Sequence, residues 1–297
     1  MNIYKKNLIK KVLIIGFGSI GKKHFSILRK KNYIIKVITD QKISDKIKLK
    51  RSKIQKFNPD YVVVASKTSK HFSDLKYIEK NINKKIVLIE KPLYENHKNI
   101  KLKNNRYLVG YNLRFHPVIQ FLKKEKLKPY FVQSNCYSYL PDWRDNIHYS
   151  KSNTADKIGG GVALELSHEI DYLIWMFGNF KKKNILNKKV SNLKINKDDI
   201  FILNANLKNL HLNVSINIFS KIKKREIFIY TKNKQYHADL NKNKLQIYFK
   251  NKIKTITWKN FNISKTYEME HSFILRGKFN DFCTINQANN LLKIIKN

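Results

Sequence analysis

Four groups of residues have the types and spacing for chemistry. The first is Gly16-Phe17-Gly18-Ser19-Ile20-Gly21, a G-x-G-x-x-G pattern between an apolar run and a helical one. In such a pattern the first glycine permits a tight turn, the second lets backbone approach a pyrophosphate, and the third lets the helix pack on the strand. The helix N terminus then offers unpaired N–H groups to phosphates. Asp40 ends the next strand-like run, 19 residues after Gly21. A carboxylate there suits ribose hydroxyls, so the spacing predicts dinucleotide binding. Asp40 would repel a 2′-phosphate and favours NAD, while Lys42 nearby leaves NADP open.

The second group is Glu90-Lys91-Pro92, at the end of a buried strand pattern. Ligands of parallel sheets bind outside the carboxyl ends of the strands. Pro92 biases Lys91 to an extended backbone, from which its ammonium can donate to a substrate oxygen. The third is Gly159-Gly160-Gly161 followed by an apolar helical pattern carrying Glu165, His168 and Asp171 at i, i+3 and i+6. An imidazole flanked by carboxylates is a proton acceptor near neutral pH, and a core histidine bonded between carboxylates fits the spacing equally well. The fourth is the segment 137–149, where Tyr139, Trp143, Arg144 and Tyr149 stand in turn-rich sequence. Aromatic faces beside a guanidinium suit a sugar ring and an anionic group.

These residues need elements to carry them. Over the first 110 positions strand and helix patterns alternate, with strands at 12–15, 33–39, 61–65, 86–89 and 106–110 and helices at 20–30, 46–57 and 69–80. Short continuous apolar strands between helices predict a parallel sheet covered on both faces. The remainder differs. A loosely alternating strand at 130–139 and one helix over 162–177 precede repeated short strands from 187 to 261, and helices at 266–282 and 286–295 close the chain. This predicts a mostly antiparallel sheet with a helix on one face. The expected class is α/β with domains at 1–112 and 113–297.

Composition narrows the function. The 297 residues carry a net charge of +40, and 42% are hydrophobic, enough for a large core. Of the 61 basic residues 54 are lysine, spread along the whole chain, and there are 35 asparagines. Nucleic-acid readers lean on arginine for bidentate contacts, so the charge reads chiefly as compositional drift and no specific nucleic-acid partner is expected. It still steers anionic small molecules toward the surface. Two cysteines cannot build a disulfide framework, which fits a reducing, cytoplasmic setting. No apolar run is long enough to span a membrane. The basic N terminus before VLIIGFGSIG superficially imitates a signal peptide, but the glycines there read as a strand and its turn.

The order GFGSIGKKH, strand-end Asp40, VVVASKTSKH, EKP, GYNLRFHP and GGG–ELSHEID resembles the Gfo/Idh/MocA oxidoreductases over nearly the whole chain. The block LPDWR…GGG…LSHEIDYLIWMFG is most similar to members of surface-polysaccharide and protein-glycan sugar pathways. The resemblance implies a Rossmann domain followed by an open-sheet α+β domain, an NAD(P) cofactor, a sugar, sugar phosphate or sugar nucleotide as substrate, no metal, and a homo-oligomer. It implies cofactor contacts along Gly16 to Gly21 and at Asp40, Ser66, Glu90 and Lys91. Lys91 matches the lysine near the nicotinamide and reacting oxygen, and His168 the acid/base. The carboxylate usually four residues before that histidine is here Leu164, so Glu165 is the nearest match. Arg114 and Asp171 match residues expected near substrate, alongside Trp143, Arg144 and Tyr149. Some relatives are non-catalytic NAD-dependent sensors or regulators, which is the alternative the resemblance leaves open.

Overall fold

The computed structural model describes residues 9–145, 148–156 and 159–296. Of these, the residues up to Asn112 together with Ser264–Lys296 form one compact unit and Leu113–Ile263 a second.

The first unit is built on five parallel strands in the order β2-β1-β3-β4-β5: β1 (Lys11–Ile15), β2 (Ile34–Ile38), β3 (Tyr61–Val64), β4 (Ile86–Glu90) and β5 (Arg106–Gly110). The central runs KVLII, YVVV and IVLIE are buried along almost their whole length. β-Branched residues buried on both faces give the continuous apolar strands typical of a covered parallel sheet. The cover comes from α1 (Ser19–Arg29), the one-turn α2 (Ile54–Phe57) and α3 (Thr68–Asn81). The expected helix over 46–57 is thus only its last turn. Its first half is instead a turn over 45–47 followed by Lys48 bridged to Val37, and a 3₁₀ turn at Arg51–Lys53 leads into α2. Strand order reverses between β1 and β3, so the loops after these two strands diverge there.

The second unit starts with α4 (Pro117–Lys124) and β6 (Pro129–Tyr139). The short helices α5 (Val162–Glu165) and α6 (His168–Phe177) come next. Seven strands follow: β7 (Lys182–Lys188), β8 (Ile200–Leu207), β9 (Leu210–Asn217), β10 (Phe219–Thr231), β11 (Gln235–Asp239), β12 (Lys244–Phe249) and β13 (Lys252–Thr257). They form an eight-stranded sheet, β13-β12-β11-β10-β6-β9-β8-β7, antiparallel except where β6 runs parallel to β9. Alternate residues of β6, β8, β9 and β12 are buried, and α5 packs against β8 and β9.

Two expectations need correction. The apolar pattern of 162–177 is not one helix. Leu166 (φ −102°, ψ 24°) interrupts it, and the Glu169 and Ile170 N–H groups reach back only three residues, to Leu166 and Ser167. Apolar spacing continues through the break, so periodicity alone does not reveal it. The closing helices α7 (Ser264–Leu275) and α8 (Ile285–Lys296) also belong to the first unit rather than the second. Asn112 Nδ2 donates to Thr266 Oγ1 at 2.8 Å, and Val109 N–H donates to the Cys283 carbonyl at 2.8 Å, which fastens the returning chain beside β5. α7 stops short of the expected residue 282 because Gly277 turns the backbone left-handed at φ 68°.

Among the described residues, eight non-glycine residues also adopt positive φ: Asn32, Asn58, Asn243, Asn260 and the lysines Lys84, Lys126, Lys208 and Lys250. Asparagine tolerates this region, whereas lysine has no side-chain device to offset the strain.

Candidate functional site

The glycine loop leaves β1 at the point where strand order reverses. Gly16 has φ 92°, and a Cβ on it would lie 2.5 Å from the Ala65 carbonyl oxygen and from Ser66 backbone atoms. A Cβ on Gly21 would meet the Gly16 carbonyl oxygen at 2.3 Å. Both are glycine because neighbouring backbone occupies the space of a side chain. Gly18 is different. It caps α1 in extended conformation, is exposed, and a Cβ there would meet nothing within 4 Å. The first turn of α1 carries no acidic residue and Gly18 supplies no side-chain cap, so the N–H groups of Ser19 and Ile20 form a ready anion seat. Phe17 beside them rests edge-on against Phe25, ring centroids 5.5 Å apart.

Asp40 follows β2, whose last residue Ile38 pairs in register with Ile15, so glycine loop and carboxylate leave the sheet at the same edge. Its carboxylate is 95% exposed and 3.1 Å from Lys70 Nζ. Ser66 follows β3, and its hydroxyl donates to Asp74 Oδ2 at 2.6 Å, with Arg51 on the other oxygen. The Ser66 side chain is therefore engaged within the unit, leaving its backbone as the part facing Gly16.

Lys91, half-buried, begins the turn after β4. Glu90 does not face the open strand end. Its carboxylate is buried and lies 2.8 Å from His24 Nε2, on the α1 side of the sheet. The Glu90 carboxylate is thus engaged within the unit, so a cofactor contact at this position falls to its backbone. On the far side of Lys91, buried His71 of α3 places Nδ1 3.2 Å from the carbonyl oxygens of Pro92 and Leu93 and Nε2 3.1 Å from that of Ser66. Burial lowers the His71 pKa, opposed by those carbonyls.

In the second unit the glycines precede α5 for a reason internal to the chain. Gly161 has φ 100°, and a Cβ on it would lie 2.3 Å from Asp198 Oδ1. Asp198 accepts from Ala163 N–H at 2.9 Å and so caps the helix start. Glu165 ends α5 and His168 begins α6, both half-buried. The break between the helices means that the i, i+3 spacing does not put Glu165, His168 and Asp171 on one regular face.

Asp171 and Arg114, each expected near substrate, are paired with each other. They are 3% and 1% exposed, and the guanidinium donates from Nε and Nη2 to the two carboxylate oxygens at 2.7 Å each. A buried charge of either sign needs such a partner. Glu169, one residue after His168, accepts from Tyr172 Oη at 2.6 Å and lies 3.1 Å from Arg225 Nε. The same carboxylate and guanidinium flank Cys136, whose thiol burial pushes up to about 12, so it stays protonated and unreactive.

Trp143 and Arg144 lie in and just after a 3₁₀ turn at Leu140–Trp143, the indole half-buried and the guanidinium exposed. Tyr149 stacks obliquely on His148 at 4.6 Å, and its hydroxyl accepts from Lys194 N–H at 3.1 Å. Among the described residues no cluster of His, Cys, Asp and Glu has metal-binding geometry, and no helix is long and apolar enough to cross a membrane.

No protein-family model matches the chain, and no curated protein matches it. Solved structures do. UDP-N-acetylglucosamine 3-dehydrogenase GnnA from Acidithiobacillus ferrooxidans aligns with TM-score 0.75 at 15% identity, over 96% of this chain and 95% of that one. A levoglucosan dehydrogenase in complex with NADH aligns with TM-score 0.82 at 13% identity, over 96% and 95%. The chain has the fold these dehydrogenases share. A super-repressor mutant of Gal80p from Saccharomyces cerevisiae aligns as well, with TM-score 0.78 at 12% identity over 97% and 94%.

Proposed function

We propose that the protein is an NAD(P)-dependent oxidoreductase that moves a hydride to or from a carbinol carbon of a sugar, sugar phosphate or sugar nucleotide. The observation that carries this reading is Gly18. Neither its backbone angles nor its surroundings within the chain require glycine, whereas a pyrophosphate approaching the N terminus of α1 does. Asp40 on the same sheet edge fits a ribose and favours NAD. When bound, the nicotinamide supplies or accepts the hydride.

The chain's own residues do the rest. Lys91 Nζ donates to the reacting oxygen and offsets negative charge that develops there. His168 accepts the hydroxyl proton in oxidation and returns it in reduction, with Glu165 as the nearest match to the carboxylate that precedes such a histidine. Trp143 and Tyr149 offer faces to a sugar ring, and Arg144 a guanidinium to an anionic group.

The test is reduction of NAD⁺ followed by absorbance, with UDP-N-acetylglucosamine and levoglucosan as first probes. His168→Ala should lower turnover about 10²–10⁴-fold while NADH titrations stay near wild type, and Lys91→Ala should cripple turnover as well. Near-normal turnover in either variant removes that residue from the chemistry. NADH binding without turnover over a broad sugar panel favours a regulator, the reading that the Gal80p alignment supports.

A further inference from the structure

Four side chains inside the first unit stand in single file. Tyr61 opens β3, His271 lies on α7, His24 on α1, and Glu90 ends β4; all are buried. Tyr61 Oη is 3.0 Å from His271 Nδ1, His271 Nε2 is 2.9 Å from His24 Nδ1, and His24 Nε2 is 2.8 Å from Glu90 Oε1. None of these contacts belongs to the chemistry assigned above.

Proton counting fixes the direction of the file. A neutral imidazole has one donor and one acceptor nitrogen, and a carboxylate only accepts. With Glu90 ionised, His24 must donate from Nε2. Its Nδ1 then accepts, so His271 donates from Nε2, and His271 Nδ1 accepts from the Tyr61 hydroxyl. Every atom in the file is satisfied. The opposite direction needs a protonated Glu90 and turns the Tyr61 oxygen into an acceptor, so its own O–H must find a further partner. Burial and its neighbour His24 hold the His271 pKa well below the usual imidazole range. Glu270 of α7 is buried against the same spot, since a Cβ on Gly110 would lie 3.1 Å from Glu90 Oε1 and 3.6 Å from Glu270 Oε1. Desolvation, then the Glu90 charge, raise the Glu270 pKa strongly. Burial against this spot therefore favours the protonated form of Glu270.

We propose that this file is a positioning device for Lys91, in which His24 donates from Nε2 to Glu90 and so fixes the end of β4 from which Lys91 projects. His71 holds the carbonyls of Pro92 and Leu93 just beyond. Lys91 is therefore bracketed by two buried histidines, one on the helix that follows the glycine loop and one on the helix that follows β3. His24 and His71 are positioning residues. The proposal rests on the reading above that Lys91 acts on the substrate.

The test compares His24→Gln, which keeps an N–H where Nε2 lies, with His24→Asn, which keeps only the side facing His271. In ¹⁵N–¹H spectra of the wild-type protein near neutral pH, both rings should be neutral with the proton on Nε2. In hydrogen exchange read by mass spectrometry, the peptide around Lys91 should exchange about tenfold faster or more in His24→Asn than in His24→Gln, the loss expected for a hydrogen bond to a charged group. Turnover should follow the same order, with kcat falling and NADH affinity held. A proton on His24 Nδ1, or equal exchange in the two variants, overturns the proposal. The spectra need no variant, and neither they nor the exchange needs cofactor or sugar. Absence of turnover in the wild type would thus sink the oxidoreductase reading without deciding this one.

Discussion

Arg114 and Asp171 meet through a two-pronged ion pair inside the second unit, with both donor–acceptor distances at 2.7 Å. The guanidinium also lies 5.4 Å from the centre of the Trp175 ring. Removing one partner strands a buried charge. Arg114→Leu or Asp171→Leu should each cost about 3–5 kcal/mol, and the double variant less than either, because a buried pair replaced by apolar groups is often near neutral. Denaturant unfolding of the three variants decides it. A double variant no better than the singles would show that the pair has a role beyond mutual neutralisation.

The three glycines of the loop should separate on substitution. Gly18→Ala places a methyl group in open space at permitted backbone angles, so its melting temperature should match wild type while NADH affinity falls at least about tenfold. Gly16→Ala and Gly21→Ala put a Cβ against backbone at 2.5 and 2.3 Å and should lose stability outright. A Gly18→Ala protein that binds NADH normally would remove the pyrophosphate from the loop.

Glu270 sets a pH dependence. Its pKa is raised, by desolvation first and then by Glu90. The folded state therefore binds this proton more tightly than the unfolded chain. The associated stability is complete below the ordinary value of 4.5 and is lost as pH rises toward the folded value. His271 acts oppositely. Its lowered pKa gives stability that is present above 6.5 and lost as pH falls below it. His271 faces Tyr61 and His24 and feels the charge of Lys31, whereas Glu270 interacts with Glu90 and Tyr61. Glu270→Gln should melt close to wild type in acid and above it in alkali, with a gap that widens with pH. A gap that stays constant across the range would mean that Glu270 is ionised in the folded protein.

Left-handed lysines store strain. Lys208 joins β8 to β9 at φ 44°, and Lys250 joins β12 to β13 at φ 50°. Left-handed backbone costs an ordinary residue about 1–2 kcal/mol, partly offset by the greater chain entropy glycine loses on folding. Lys208→Gly and Lys250→Gly should each stabilise by roughly 0.5–1 kcal/mol, seen as a higher denaturation midpoint with unchanged slope. A destabilised variant would mean that the lysine side chain supports its hairpin.

The strands of the first unit were legible because each is a short β-branched run bounded by turn residues, as in Tyr61–Val64 after Asn58-Pro59-Asp60. The glycine loop was legible because its spacing is local. What stayed hidden depends on contacts between distant residues. His24 and Glu90 are 66 positions apart, and His24 and His271 are 247 apart. A signal existed: His24 shares the buried stripe of α1 with Gly21 and Leu28, and Glu90 ends an otherwise apolar buried strand. Polar residues in such places need partners, but sequence does not say which. The break before α6 was hidden for another reason, since Leu166 and Ile170 keep an apolar rhythm across it. The role of Gly161 was legible only in part, because the carboxylate it makes room for, Asp198, comes from a loop 37 residues later.

The left-handed turns bear on the glycines that remain. This chain has nine glycines among 297 residues, and among the described residues it uses lysine or asparagine at eight positions where glycine would relieve strain. Such a chain tolerates discomfort at its hairpins and yields glycine mainly where geometry leaves no choice. Gly16, Gly21 and Gly161 are compelled by atoms of the protein itself, whereas nothing within the protein compels Gly18. That bareness is what the proposed pyrophosphate would require.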